Sequence, residues 1–336
     1  MGYSFETVEI GHLASLRERE ASRLKWPLFV LPSWLSAWWS VFGGGYQSLL
    51  GVVKKDAAII GVAPLKVEGD VASFMGSPDL ADYQDFVING GAEKEFFSLL
   101  LDELKKAGIR RLETGALRPE SVTLKHLGPL AEGSGLKVSC RPADVSFDME
   151  LPRSFDDYLE MLEAKQRREL RRQLRRLAKA GEVSYRAVNR PQEVKAEIGV
   201  FIEMMRASRQ DKAHFMDEQM EGFFERLAAW MSARGLIRLG LLELDGSAVA
   251  AVLCFDYNDT MYLYNSGYDP EYAGLGVGLM SKVLCIKDAI ELGRRRFDFL
   301  KGDEVYKSRL GGRKVPLERC SIDFQGFYEN RLPERP

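Results

Sequence analysis

A chain of 336 residues is about twice the length of a typical domain, so two domains are expected, each long enough to bury its own core. Hydrophobic residues make up 46% and charged residues 29%, an ordinary balance for a soluble globular protein; the formal charge of −2 argues against wholesale electrostatic binding of nucleic acid but permits local basic patches. No apolar run reaches the ~18 residues that cross a bilayer, and MGYSFETVEI lacks the basic-then-apolar order of a signal peptide, so a cytoplasmic location is expected.

Cys140, Cys254, Cys285 and Cys320 are far apart and form no CxxC pair, which argues against a zinc site and against a disulfide framework. His12, His126 and His214 are the only histidines, and none has metal-ligand spacing. Neither a metal centre nor histidine-based hydrolysis is expected.

Along the chain, residues 26–42 (WPLFVLPSWLSAWWSVF) hold four of the five tryptophans. From Ser33, a potential N-cap, Leu35, Trp38, Trp39 and Phe42 recur at helical spacing, which predicts a buried core helix. Strands are predicted at 49–53, 57–65, 71–75 and 83–88. A helix follows over 93–107, closed by Gly108, and then a strand at 110–114. The second half repeats this order. Strands are predicted at 237–244, 248–257 and 260–268, with Asp245-Gly246 as a hairpin turn between the first two. A helix covers 277–292, ended by Gly293, before a strand at 297–300.

The repetition also shows in residues. KKAGIRRLET (105–114) lies against IELGRRRFDF (290–299) at an offset of 185, and LGVVKKDAAIIGVA (50–63) against LGLLELDGSAVAAV (239–252) at 189. Two matches in the same element order predict a duplicated β-β-β-α-β unit, although recurring strand–turn chemistry could produce similar segments. The expected domains are residues 1–150, a linker helix over 151–181, and residues 182–330.

In the linker, Ser154 and Asp157 form a capping-box pattern, and leucines at 159, 162, 170, 174 and 177 draw an apolar stripe. Lys165, Arg167, Arg168, Arg171, Arg172, Arg175, Arg176 and Lys179 place eight cations against one acid, Glu169. Such a face is either simply solvated or holds a polyanion through Arg171, Arg172, Arg175 and Arg176.

The segment from Asp269 to Met280 sets Gly274, Gly276 and Gly278 between a strand and a helix, where backbone N–H groups can approach phosphate at the positive end of the helix dipole. It fits neither the P-loop nor the dinucleotide fingerprint, and the preceding meander argues against a Rossmann fold. Asp298, Asp303 and Glu304 are candidate proton acceptors, with structural ion pairing the alternative for Asp298. Lys301, Lys307 and Arg309 are candidates to orient an anionic substrate, and Tyr264 and Asn265 to line an acceptor pocket. His214, read as a loop residue, is a possible acceptor contact.

This order of meander, Gly-rich turn, helix and strand resembles the GNAT superfamily of N-acetyltransferases. The stretch YNSGYDPEYAGLGVGLM with AIELGRRRFDFLKGDEVYKSRLGG looks like the CelD/BcsL-type cellulose-biosynthesis acetyltransferases, relatives of the Fem-type peptidyltransferases. FDFLKGDEVYK is the most specific piece, and the likeness runs over most of the chain. The resemblance implies an α/β fold of two tandem GNAT-like units, each a mixed, mostly antiparallel sheet flanked by helices. It implies acyl transfer, most simply acetyl, from acetyl-coenzyme A or another acyl-coenzyme A to an amine or hydroxyl. It further implies a metal-free site and an acceptor, small or glycan- or lipid-linked, from cell-envelope or exopolysaccharide biosynthesis. By the same resemblance Gly274, Gly276, Val277 and Gly278 hold the pyrophosphate, and Tyr306 donates a proton to the leaving group. The sequence departs from the GNAT turn where Arg or Gln usually stands three positions before the glycines; here the residue is Glu271 or Ala273. A Fem-like aminoacyl-tRNA-dependent transferase, or a non-catalytic scaffold docking an anionic partner, therefore stay open as alternatives. The corresponding region of the first half, SPDLADYQDF, has no Gly-rich turn.

Overall fold

The computed structural model describes residues 2–20 and 24–326, with side chains described outside 17–20. The chain divides into two compact units, residues 2–144 with 316–326, and residues 145–315. The basic helix thus belongs to the second unit, and the last strand returns to the first. No helix among the described residues is long and apolar enough to cross a membrane.

The first unit contains β1 (Tyr3–Val8), α1 (Leu13–Glu20), α2 (Pro32–Phe42), β2 (Gln47–Lys55), β3 (Ala58–Glu68), β4 (Val71–Phe74), β5 (Val87–Ile88), α3 (Glu93–Lys106), β6 (Arg111–Glu113) and α4 (Gly128–Gly133). β7 (Lys137–Glu150) begins in it and β13 (Arg313–Asp323) ends in it. Its sheet runs β1-β2-β3-β4-β6-β13, with β5 beside β3. The apolar face of α3, carrying Phe96, Phe97, Leu100, Leu101 and Leu104, closes the core against Leu65, Phe74 and Leu112.

Three expectations change here. α2 starts at Pro32 without a side-chain cap, and Ser33 is buried inside it; proline at the first turn lacks the N–H that a cap would satisfy. The strand expected over 83–88 shrinks to Val87–Ile88, because Gln84 turns inward and its amide donates to the carbonyls of Met75 (2.6 Å) and Phe29 (3.3 Å). Cys140 and Cys320 form a disulfide across 180 residues. Sequence spacing carried no sign of it, because folding sets β7 and β13 side by side.

The second unit continues with α5 (Phe155–Met161), α6 (Ala164–Ala178), β8 (Val183–Val188), α7 (Pro191–Ser208), α8 (Gln210–Phe215) and α9 (Glu218–Ser232). It is completed by β9 (Ile237–Leu244), β10 (Ser247–Tyr257), β11 (Thr260–Tyr268), α10 (Val277–Glu291), β12 (Arg296–Lys301) and α11 (Val305–Arg309). Its strands lie in the order β7-β12-β11-β10-β9-β8. α10 packs Val277, Met280, Val283 and Ile286 on one face, against Val252, Met261 and Phe297. α7 covers the other so closely that a Cβ on Gly267 of β11 would lie 2.3 Å from the backbone of Met205.

The expected single helix over the linker is two. Ser154 caps α5, accepting from the Asp157 N–H (3.1 Å), as its spacing predicted. Leu162 and Glu163 are then extended, which drops Leu162 into the core. His214 lies in the short helix α8, its Nδ1 2.7 Å from the Gln210 carbonyl.

The duplication is visible in hydrogen-bond register. In β2–β3, Lys55 pairs with Ala58 and Lys54 with Ile59; the register then slips, so that Val53 meets Gly61 and Ile60 is extra. In β9–β10, Leu244 pairs with Ser247 and Glu243 with Ala248; Leu242 then meets Ala250 and Val249 is extra. Every residue is displaced by 189, including the bulge. The parallel pairs repeat likewise, Val71 with Arg111 and Thr260 with Arg296, at offsets of 189 and 185. Convergent turns do not reproduce a bulge and a parallel register together.

Gly267→Ala should destabilise the second unit by about 1–3 kcal/mol, because the added methyl meets helix backbone rather than a movable side chain. Urea denaturation measures it, and an unchanged midpoint would contradict the close α7–β11 contact.

Candidate functional site

The second unit's sheet opens between β11 and β12. Their parallel pairing covers only Thr260–Tyr262 and Arg296–Asp298. Beyond it Tyr264 is an extra residue in β11 opposite β10, and Phe299 is extra in β12 opposite β7. Leu300 takes a left-handed conformation (φ 63°), which costs a non-glycine residue about 1–2 kcal/mol. Two side chains satisfy the backbone that this distortion frees. The Asp298 carboxylate accepts from the Leu300 N–H (2.8 Å). Lys307, 2% exposed, donates to the carbonyls of Leu300 (3.1 Å), Lys301 and Gly302 (3.1 Å) and pairs with Glu304 (2.9 Å).

Two more lysines reach this opening from opposite faces of the sheet. Lys212 of α8 donates to the Asn265 side-chain oxygen (2.9 Å) and to the Ser266 carbonyl. Lys282 of α10 donates to the Gly278 carbonyl (2.7 Å), and its ammonium stands 5.2 Å from the centre of the Tyr306 ring. Burial lowers the Lys212 pKa to about 8, helped by repulsion from Arg209. Burial lowers that of Lys282 to about 7, and repulsion from Lys212 adds to it. Glu304 is the carboxylate whose field opposes both shifts. A buried amine with a pKa near neutrality exchanges protons at working pH, as a solvated lysine does not.

The Gly-rich turn lies at the start of α10. Gly276 takes the left-handed conformation (φ 72°) as N-cap, no side chain caps the helix, and no acid stands in its first turn. A Cβ on Gly278 would meet the Tyr268 ring at 2.8 Å. The first N–H groups of α10 are thus left for an anion, at the positive end of a 15-residue helix. The corresponding helix of the first unit differs. α3 carries Glu93 and Glu95 in its first turn, and Glu93 accepts from the Gly91 N–H (2.9 Å). An acid of the chain itself fills that position.

The basic helix α6 flanks the same turn. Gln173 lies beside Gly276, its Oε1 3.3 Å from where a Cβ would stand. Gln173 donates to Glu169 (2.7 Å), and Glu169 also binds Arg172, interactions that hold its carboxyl at about 2. Arg167 and Arg171 pair with Glu160. Lys165, Arg168, Arg175, Arg176 and Lys179 are exposed and have no ion pair among the described residues.

Gly276, Val277 and Gly278 therefore stand at an open helix start, and Gly274 lies within the short turn (Pro270–Leu275) before it. Tyr306, half-buried, lines the opening with Lys282. Asp298 is buried (3% exposed) and holds the backbone of β12. Asp303 is exposed and pairs with Lys314 (2.7 Å). Lys301 is half-buried at the strand end, Lys307 is held by its carbonyls, and Arg309 is exposed. Asn265 faces Lys212, whereas Tyr264 packs between Phe224 and Phe255. Sequence reasoning passed over Lys212 and Lys282. Lys282 stands four residues after Gly278 on an otherwise apolar face, the one available signal. No group of three metal-ligating side chains occurs among the described residues.

Residues 164–308 match the family described as "Acetyltransferase (GNAT) domain". Among solved structures the chain is similar to FemX (TM-score 0.65, 14% identity, 98% of this chain and 99% of that one). It is also similar to L-PGS from Bacillus licheniformis (0.58, 10%, 94% and 92%) and to a tandem GNAT protein from the clavulanic acid biosynthesis pathway (0.52, 11%, 96% and 98%). No curated protein matches the chain in sequence. The fold is that of two tandem GNAT-like units, residues 164–308 of the second resemble a GNAT acetyltransferase domain, and the match supports an acyltransferase.

Lys282 has a folded pKa near 7 and an ordinary value of 10.5, so the unfolded chain binds one more proton between them and stability rises with pH across that window. Below it the cost of the buried charge is fully present. Lys282→Met removes the cost, so its stability relative to wild type should fall by about 3 kcal/mol between about pH 6 and about pH 9.5. Denaturation at the two pH values tests this; equal differences would mean Lys282 is not depressed.

Proposed function

We propose that the second unit transfers an acyl group, acetyl in the simplest case, from coenzyme A to an amine or hydroxyl acceptor. The observation that carries the reading is the open, glycine-lined start of α10 beside an unzipped pair of parallel strands, with Tyr306 of α11 and Lys282 of α10 next to each other at the gap. The Gly274, Gly276, Val277 and Gly278 backbone fits a pyrophosphate, with no side chain or acid in the way. The thioester lies along the gap between β11 and β12. The acceptor must be neutral to attack the carbonyl carbon; as the new bond forms and the carbon–sulfur bond breaks, one proton leaves the acceptor and one goes to the thiolate. Lys282, with a pKa about 7, takes the acceptor proton, and Tyr306 protonates the departing sulfur. Asn265, held by Lys212, and the half-buried Lys301 position the acceptor. Asp298 and Lys307 keep the gap open rather than touching substrate.

An acceptor from cell-envelope or exopolysaccharide synthesis, glycan- or lipid-linked, suits the exposed cations of α6. An acyl-coenzyme A donor accords with a cytoplasmic location. The basic face next to the turn favours a second reading, a donor presented as aminoacyl-tRNA, with Arg171, Arg172, Arg175 and Arg176 on its phosphates.

Calorimetric titration with acetyl-coenzyme A should show one site per chain; no heat at millimolar ligand would remove coenzyme A as donor. With the acceptor in hand, Tyr306→Phe and Lys282→Met should each lower kcat by about 10²-fold or more, and Lys282→Met should also abolish the pH–rate limb near 7. Unchanged turnover in both would overturn these roles. Binding of tRNA that falls steeply with salt and disappears when Arg175 and Arg176 become Glu would select the second reading instead.

A further inference from the structure

The first unit holds polar groups without hydrogen-bond partners among the described residues, distant in sequence from the residues proposed for acyl transfer. Lys66 of β3 is half-buried, and its ammonium lies 4.0 Å from the centre of the Tyr46 ring and 5.0 Å from that of Trp38. No hydrogen-bond acceptor and no ion pair satisfies it among the described residues. Trp38 is 2% exposed, and its indole Nε1–H has no hydrogen-bond partner among the described residues. The buried Oγ of Ser48 has none either. Ser48 stands directly opposite Lys66 in the β2–β3 register, so both side chains leave the same face of the sheet. Ser73 of β4 faces Lys66 from its other side.

An ammonium, the indole N–H of a ring beside it and a hydroxyl directly across the strand pair thus lie on one face of the sheet, none with an acceptor among the described residues. An unsatisfied buried donor costs about 1–3 kcal/mol, so clustered donors of this kind mark a place built for a ligand oxygen. Burial lowers the Lys66 pKa, and Glu68, two residues on, only partly offsets this from beyond ion-pairing distance. The ring faces favour the cation, and the positive indole edge favours an anion beside it. We infer that the first unit binds an oxyanionic ligand, a phosphate or carboxylate group of a small molecule, through Lys66, the Trp38 indole N–H and Ser48. The equivalent of Lys66 in the second unit, at the offset of 189, is Phe255, so duplication alone does not account for the lysine. This inference is independent of the acyl-transfer reading.

The test uses the full chain with ¹⁵N-labelled tryptophan. Inorganic phosphate and sodium acetate are titrated separately at constant ionic strength while the five indole N–H signals are followed. The Trp38 signal, assigned as the one missing in Trp38→Phe, should shift saturably with one anion, and the more potent anion identifies the ligand group. Lys66→Met should weaken that affinity about tenfold or more and leave the other four signals in place. If Trp38→Phe does not fold, the signal is assigned by its nuclear Overhauser contact with the Tyr46 ring. A Trp38 signal that moves with neither anion, or moves equally in Lys66→Met, would mean that Lys66 merely packs on the two rings and would overturn the inference.

Discussion

The site depends on an interrupted ladder. β11 and β12 stay paired for three residues and then separate, which would leave freed backbone N–H and carbonyl groups in a buried place. The chain meets this requirement from its own side chains. Asp298 accepts the Leu300 N–H, and the buried Lys307 donates to three consecutive carbonyls. The strained Leu300 persists because its surroundings fix it from both ends. A gap in a sheet is then a stable feature, and a chemical site can be built along it. The segment FDFLKGDEVYK carries most of this construction. Its charged residues are largely structural, and in the proposed reaction the proton transfers fall to Tyr306 within it and Lys282 before it.

Two copies of one unit show what that chemistry required. Registers, bulge and helix end superpose in sequence at offsets of 189 and 185, so the scaffold is the same. The copies diverge between third strand and helix. In the first, a long connection buries Gln84, and Glu93 occupies the helix start. In the second, Gly276 leaves the helix start bare. A helix end whose own acid neutralises its dipole offers less to a phosphate, so only the second copy retains a turn suited to one.

The elements were legible because their signals are local. Asp245-Gly246 made a hairpin, Gly108 and Gly293 ended helices, and Ser154 capped α5, each through backbone conformations or hydrogen bonds set within a few residues. The errors came where a distant contact overrode a local preference. Leu162 interrupts a sequence that reads as one long helix because the core claims its side chain, and Pro32 starts α2 ahead of a serine suited to cap it. The Cys140–Cys320 pair was invisible at a separation of 180.

The sequence by itself determined the two-copy architecture, the glycine turn before α10 and the basic face of α6. All of these follow from periodicity, from turn chemistry, or from a motif within one short segment. Only the tertiary structure decided which charges are free to act. Lysines at 66, 212, 282 and 307 look alike in sequence, yet one is saturated by carbonyls, two have pKa values lowered toward neutrality by burial, and one stands beside two aromatic rings with no acceptor among the described residues. The reason is physical. Desolvation and hydrogen-bond satisfaction depend on what packs around an ammonium in three dimensions, and residues far away in the chain supply those neighbours.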